Sequence, residues 1–171
     1  MLVRAPSILI TDDDVDFRET LRVVFEPRGY RTLMAGNGEE ALDIVRDQEV
    51  HLLLLDMHMP KLTGLETLQR VKQFKSRLPC ILLSAGLDEG IIRQAQLAEA
   101  FSILSKPVSR LQLTNTVENA ICRTYGWDRD SLAGHQASAE NPANQPSATQ
   151  DRPISPWQIR FSFRFPRPPK E

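Results

Sequence analysis

The stretches "ILITDDD" at residues 8–14 and "LLLLDMHMP" at residues 52–60 decide the fold. Each is a short apolar run that stops abruptly on carboxylates: Asp12, Asp13 and Asp14 after the first, Asp56 at the end of the second. Runs that are apolar throughout, rather than alternating, suit parallel strands covered on both faces. Three more short runs, "RTLMA" (31–35), "CILLS" (80–84) and "FSILS" (101–105), join them, and most of the five are nearly continuous in their apolarity.

Between the runs lie helical patterns. Val15, Leu21, Val24 and Phe25 fall at helical spacing over 14–27, where Pro27 and Gly29 break the helix. Ala41, Leu42 and Val45 mark a second helix over 38–48, and Leu65, Leu68 and Val71 a third over 64–76. Segments 88–99 and 109–124 complete the set. Five strands alternating with five helices predict an α/β fold with a doubly wound parallel sheet.

Composition sets the limits. The net charge of −1 gives no global case for nucleic-acid binding. Cys80 and Cys122 are too few for a disulfide framework and have no metal-ligand spacing. No stretch approaches the roughly 18 apolar residues that span a bilayer, and "MLVRAPS" lacks the core of a secretory signal. These features predict a cytoplasmic protein with no transmembrane segment. Seven of the twelve prolines lie in 126–171, and "HQASAENPANQPSATQDRP" has almost nothing large and apolar to bury. The expected organisation is a folded domain over 1–125 and a disordered, Pro-rich tail over 126–171.

In open parallel sheets, ligands bind at the carboxyl ends of the strands, where the strand order reverses. Asp12, Asp13, Asp56, Ser84 and Lys106 all fall at such ends. Carboxylates about 4 Å apart repel by roughly 1 kcal/mol in water and about 4 at an effective dielectric of 20. A divalent cation relieves that repulsion, and an all-oxygen donor set points to Mg²⁺ rather than zinc. A carboxylate beside Mg²⁺, a hydroxyl and a lysine is an arrangement for accepting a phosphoryl group. Each residue also has a plainer reading. Asp12–Asp14 suit a helix N-cap and its first-turn charge; Asp56 and Ser84 suit turns, and Lys106 a solvated loop. The joint placement on one edge favours the phosphoryl site. His51 and His58 have no paired ligand.

Together, "ILITDDD", "LLLLDMHMP", "LLSA" and "LSKP" give residues 6–124 a resemblance to the response-regulator receiver domains of two-component signalling. The resemblance implies a (βα)5, flavodoxin-like fold, with Asp56 as phosphoacceptor and a phosphohistidine on a histidine kinase or phosphotransfer protein as donor. It further implies Mg²⁺ held by Asp13, Asp56 and the backbone carbonyl of His58, with Asp12 acting through a water. Ser84 and Lys106 would contact the phosphate, and Lys106–Pro107 would be a cis peptide bond. Met59, Pro60 and Gly64 suit the family's turn into the third helix. Such a protein is not an enzyme beyond its own phosphorylation and dephosphorylation.

Two departures stand out. The family's aromatic switch position is Ile103 here, with Phe101 two residues earlier and, by period-two logic, on the same strand face. A position that is typically Gly in the family is Glu99. Two rival readings remain. One is a haloacid-dehalogenase-like phosphatase using Asp12 and Asp14, which leaves Asp56 unexplained. The other is a binding-only pseudo-receiver. No Gly-rich nucleotide loop is present. No DNA-binding output domain is expected after residue 125, so the output would be a protein–protein contact. Near the chain end, Trp157, Ile159, Phe161, Phe163 and Phe165 alternate with polar residues, a strand pattern bounded by Pro156 and Pro166. It suits strand addition to a sheet edge or, being basic, an anionic surface.

Overall fold

A computed structural model describes residues 5–127. The expectations for the tail fall, from residue 128 onward, outside the described residues. The elements alternate strictly. They are β1 (Ser7–Thr11), α1 (Val15–Phe25), β2 (Arg31–Ala35), α2 (Gly38–Asp47), β3 (Leu52–Asp56), α3 (Gly64–Phe74), β4 (Cys80–Ser84), α4 (Glu89–Leu97), β5 (Ser102–Ser105) and α5 (Arg110–Tyr125). The five strands form one parallel sheet in the order β2-β1-β3-β4-β5. The chain steps outward from β1 to β2, then returns past β1 to β3. The strand order therefore reverses between β1 and β3, where their carboxyl ends open a crevice.

Burial follows position in the sheet. β1, β3 and β4 are buried along their whole length, whereas β2 at one edge is half-exposed over Thr32, Leu33 and Met34. On one face Ile8, Ile10, Leu52, Leu54, Ile81, Leu83 and Leu104 join Leu21 and Phe25 of α1 and Leu113, Val117, Ala120 and Ile121 of α5 in a single core. On the other face Leu9, Leu53, Leu55, Leu82 and Ile103 are buried as well, with α2, α3 and α4 against the sheet. Each such side chain contributes about 1.5–3 kcal/mol through burial.

The helices start where side chains can cap them. Asp14, Asn37, Asp88 and Ser109 each accept from a backbone N–H in the first turn of α1, α2, α4 and α5. Thr63 and Glu66 form a reciprocal capping box on α3. Every one of these caps lies on the loop that leaves a strand's carboxyl end, so helix initiation and the crevice share the same loops. α1 stops at Phe25 in a 3-10 turn containing Pro27, closed by Gly29 at φ 84°.

The period-two expectation for Phe101 does not hold. β5 begins at Ser102, and Phe101 sits in the bend before it. Its ring packs against the α1/α5 core, whereas Ile103 pairs with Leu82 on the opposite face and is fully buried. The bend breaks the alternation that would have placed the two residues together. Ahead of it, Glu99 has φ 60°, the left-handed conformation that glycine adopts most readily.

Cys80 is a buried free thiol, and burial pushes it up to about 12. Among the described residues, no helix is long and apolar enough to cross a membrane.

Candidate functional site

The crevice collects the carboxylates. Asp12 follows β1 and is 2% exposed; Asp56 ends β3 and is 5% exposed; Asp13 faces solvent. One carboxylate oxygen from each of Asp12, Asp13 and Asp56 lies within 4.8 Å of the others. Asp12 is held from three sides. Its Oδ1 accepts from the Asp14 backbone N–H at 2.9 Å. Its own N–H donates to the Ala35 carbonyl at 3.2 Å. Its carbonyl accepts from the Arg18 guanidinium at 2.5 Å.

Lys106 enters from the loop after β5, where its N–H donates to the Ser84 carbonyl at 2.7 Å. Its ammonium bridges the pocket, 2.7 Å from Asp12 Oδ2 and 3.0 Å from Asp56 Oδ1. The Lys106–Pro107 peptide bond is cis. Burial raises the Asp56 carboxyl above its ordinary range; the hydrogen bond from Lys106 opposes that rise, and the charges of Asp12 and Asp13 add to it. Burial alone would lower Lys106, but its hydrogen bonds to Asp12 and Asp56 and the charges of those two carboxylates together raise it.

The remaining residues have definite places. Ser84 ends β4, fully buried, and its hydroxyl donates to the Gly86 carbonyl at 2.6 Å rather than to Asp56. His58 lies in the loop after β3 with its side chain exposed. That loop folds back on itself: the Gly64 N–H donates to the Met57 carbonyl at 3.1 Å. Asp14 caps α1, its carboxylate accepting from the N–H groups of Asp16 and Phe17 at 2.9 and 3.2 Å. The acid that a phosphatase reading needs is thus engaged by the helix. His51 is structural: Nδ1 accepts from the Ser7 N–H at 3.0 Å. Its carbonyl accepts from the Tyr125 hydroxyl at 2.9 Å.

Two site residues escape a motif reading. Arg18 holds the Asp12 carbonyl, and Phe17 places its ring 4.3 Å from the Lys106 Nζ. Both lie in the first turn of α1, which the Asp14 cap fixes beside the crevice. Their position one turn after the acidic run is the signal that could have found them.

The pocket suits a hard divalent cation. It offers three carboxylates against one ammonium, and no thiolate or imidazole is among the clustered groups. The spacing of the oxygens is also compatible. Metal–oxygen bonds of about 2 Å place neighbouring ligand oxygens roughly 3 Å apart and opposite ones about 4 Å apart.

Comparison with known proteins agrees with this geometry. The family model "Response regulator receiver domain" matches residues 8–118. The chain is 34% identical to Response regulator RR06 of Streptococcus pneumoniae serotype 2 over 70% of its own length and 54% of that protein. It is also 34% identical to Sporulation initiation phosphotransferase F of Bacillus subtilis, over 66% of this chain and 90% of the relative. The signal receiver domain of an HD domain-containing protein from Pseudomonas fluorescens superposes with a TM-score of 0.69 at 26% identity, covering 72% of this chain and all of that one. The chain spans about half the length of RR06 and less than a third of other regulators it matches. A receiver sheet, the acidic crevice at its strand-order reversal and the match along residues 8–118 place this chain in the response regulator receiver domain family.

Proposed function

We propose that the chain is the phosphoacceptor of a two-component phosphorelay, with Asp56 receiving a phosphoryl group from a phosphohistidine on a histidine kinase or phosphotransfer protein. The observation that carries this reading is the bridge from Lys106 to Asp12 and Asp56, set beside Asp13 in the crevice. Asp56 Oδ attacks phosphorus in line as the P–N bond breaks. The imidazole leaves with the electron pair and takes up a proton, and an acyl phosphate remains on Asp56.

Asp13, Asp56 and the His58 backbone carbonyl would hold Mg²⁺, with Asp12 acting through a water. When bound, the ion neutralises charge on the transferring phosphoryl oxygens. Lys106 shares that task and pairs with the new phosphate. The Ser84 hydroxyl would turn from Gly86 to donate to the phosphoryl oxygen. The chain catalyses nothing beyond its own phosphorylation and dephosphorylation, works in the cytoplasm and signals through a protein contact. Phosphorylation adds roughly −1.5 to −2 charges to the crevice. Typical couplings of about 1–3 kcal/mol change a partner's affinity 5- to 150-fold.

The test is phosphorylation without a kinase. Incubation with acetyl phosphate and Mg²⁺ adds the mass of one phosphoryl group to the wild type and none to Asp56→Asn. Equal labelling of both, or of neither, overturns the reading.

A further inference from the structure

Lys106 is restrained by more than two carboxylates. Its Nζ sits 4.3 Å from the centroid of the Phe17 ring, on the side supplied by α1. The ring is itself fixed. Phe17 is half-buried and packs against the core formed by Leu21, Phe25 and Leu113. Its N–H donates to the Asp14 cap at 3.2 Å, which sets the first turn of α1. The face of an aromatic ring carries negative charge and attracts an ammonium. A lysine on a flexible four-carbon stem otherwise samples many rotamers.

We propose that Phe17 is a positioning residue for Lys106: its ring face is the third wall that keeps the ammonium over Asp56. This rests on Asp56 being the phosphoacceptor, because the ring then presets the cation where the transferred phosphoryl oxygens arrive. Asp12 and Asp56 draw the ammonium toward the cluster, and the ring closes the side that carboxylates leave open. Loss of the aromatic face frees the stem. The ammonium then reaches the phosphoryl group in a smaller fraction of encounters.

The test uses the full chain and two variants, Phe17→Leu and Phe17→Tyr. Leucine keeps apolar packing on the core but has no ring face; tyrosine keeps both. NMR signals of the Lys106 ε-methylene and ammonium, recorded without phosphodonor, report the ring directly. In the wild type they are displaced upfield by the ring current. The displacement is lost in Phe17→Leu and retained in Phe17→Tyr. Labelling by acetyl phosphate slows about tenfold in Phe17→Leu and is restored to within twofold in Phe17→Tyr. Lys106 signals that are unmoved in Phe17→Leu overturn the proposal, whatever the labelling rate. So does a Phe17→Tyr variant that is folded by circular dichroism yet slowed as much as Phe17→Leu. If the wild type takes up no phosphoryl group while the ring-current signature is lost in Phe17→Leu, the positioning contact stands and the phosphoacceptor reading fails.

Discussion

Gly64 leaves no room for a side chain against Asp56. A Cβ at residue 64 would overlap the Asp56 backbone oxygen and lie 2.9 Å from its carbonyl carbon. Both obstacles are backbone, so relief requires moving the strand end or α3. Gly64→Ala should therefore cost about 2–4 kcal/mol in denaturant unfolding. It should also slow labelling of Asp56, because the displaced carbonyl carries the side chain with it. A cost below about 0.5 kcal/mol would show that the loop yields freely and does not fix Asp56.

The charge pattern of the pocket predicts opposite effects for two substitutions. Asp56 is a buried carboxylate beside two others, so Asp56→Asn should raise stability at neutral pH by about 1–2 kcal/mol. Lys106→Met removes the cation that bridges Asp12 and Asp56 and should cost about 2–3 kcal/mol. The carboxyl of Asp56 is raised in the folded state, so the native chain binds that proton more readily than the unfolded one. Stability from this group is highest below its ordinary range and falls as pH rises through the raised value. The advantage of Asp56→Asn should accordingly shrink in acid. Mg²⁺ at tenfold over its Kd should stabilise the wild type by about 1.4 kcal/mol and Asp13→Asn by much less. Thermal melts across pH and Mg²⁺ concentration read all of these. Identical stability of wild type and Asp56→Asn at pH 7 would contradict the buried-charge account.

Most of the architecture was legible because the three central apolar runs have no exposed face to misplace. β1, β3 and β4 are buried on both sides, so their sequences read as continuous apolarity and admit only a covered, parallel arrangement. Asp12, Asp56 and Lys106 could be drawn together because strand ends define one edge of a sheet, however far apart the residues are in sequence. Side-chain direction was harder to read. Alternation places Phe101 on the Ile103 face, but alternation fails outside the strand, and a bend at 101 turns the ring to the other layer. Phe17 and Arg18 read as ordinary residues of an amphipathic helix. Their contacts with Lys106 and Asp12 depend on how α1 leans over the crevice, which local pattern does not encode. The Ser84 position was legible, but its hydrogen bond to Gly86 was not.

Glu99 holds φ 60° without the freedom of glycine. A left-handed residue with a Cβ carries a strain of about 1–2 kcal/mol, partly offset by the extra entropy that glycine gains when unfolded. Glu99→Gly should therefore stabilise the domain by about 0.5–1 kcal/mol in urea or guanidinium titrations. A destabilisation would show that the Glu99 side chain makes a compensating contact.

His51 gives a second pH signature, of opposite sign to Asp56. Burial lowers its value below the ordinary 6.5, with Glu49 opposing weakly. Its Nδ1 accepts from Ser7, so protonation breaks that hydrogen bond. The unfolded chain takes up the proton near 6.5 and the folded chain only below it. Stability from this group is therefore intact above that value and lost progressively as pH falls through the window beneath it. His51→Asn keeps an acceptor that does not titrate in this range, so its stability relative to wild type should improve from pH 7 to pH 5. A constant difference over that range would contradict the assignment.

Locating the phosphoryl group tests the central claim most directly. After labelling with acetyl phosphate, borohydride reduces an aspartyl phosphate to homoserine, and peptide mass spectrometry identifies the position. The account predicts homoserine at residue 56 and at no other aspartate. Homoserine at residue 12, or a labelled protein with Asp56 unchanged, would contradict it.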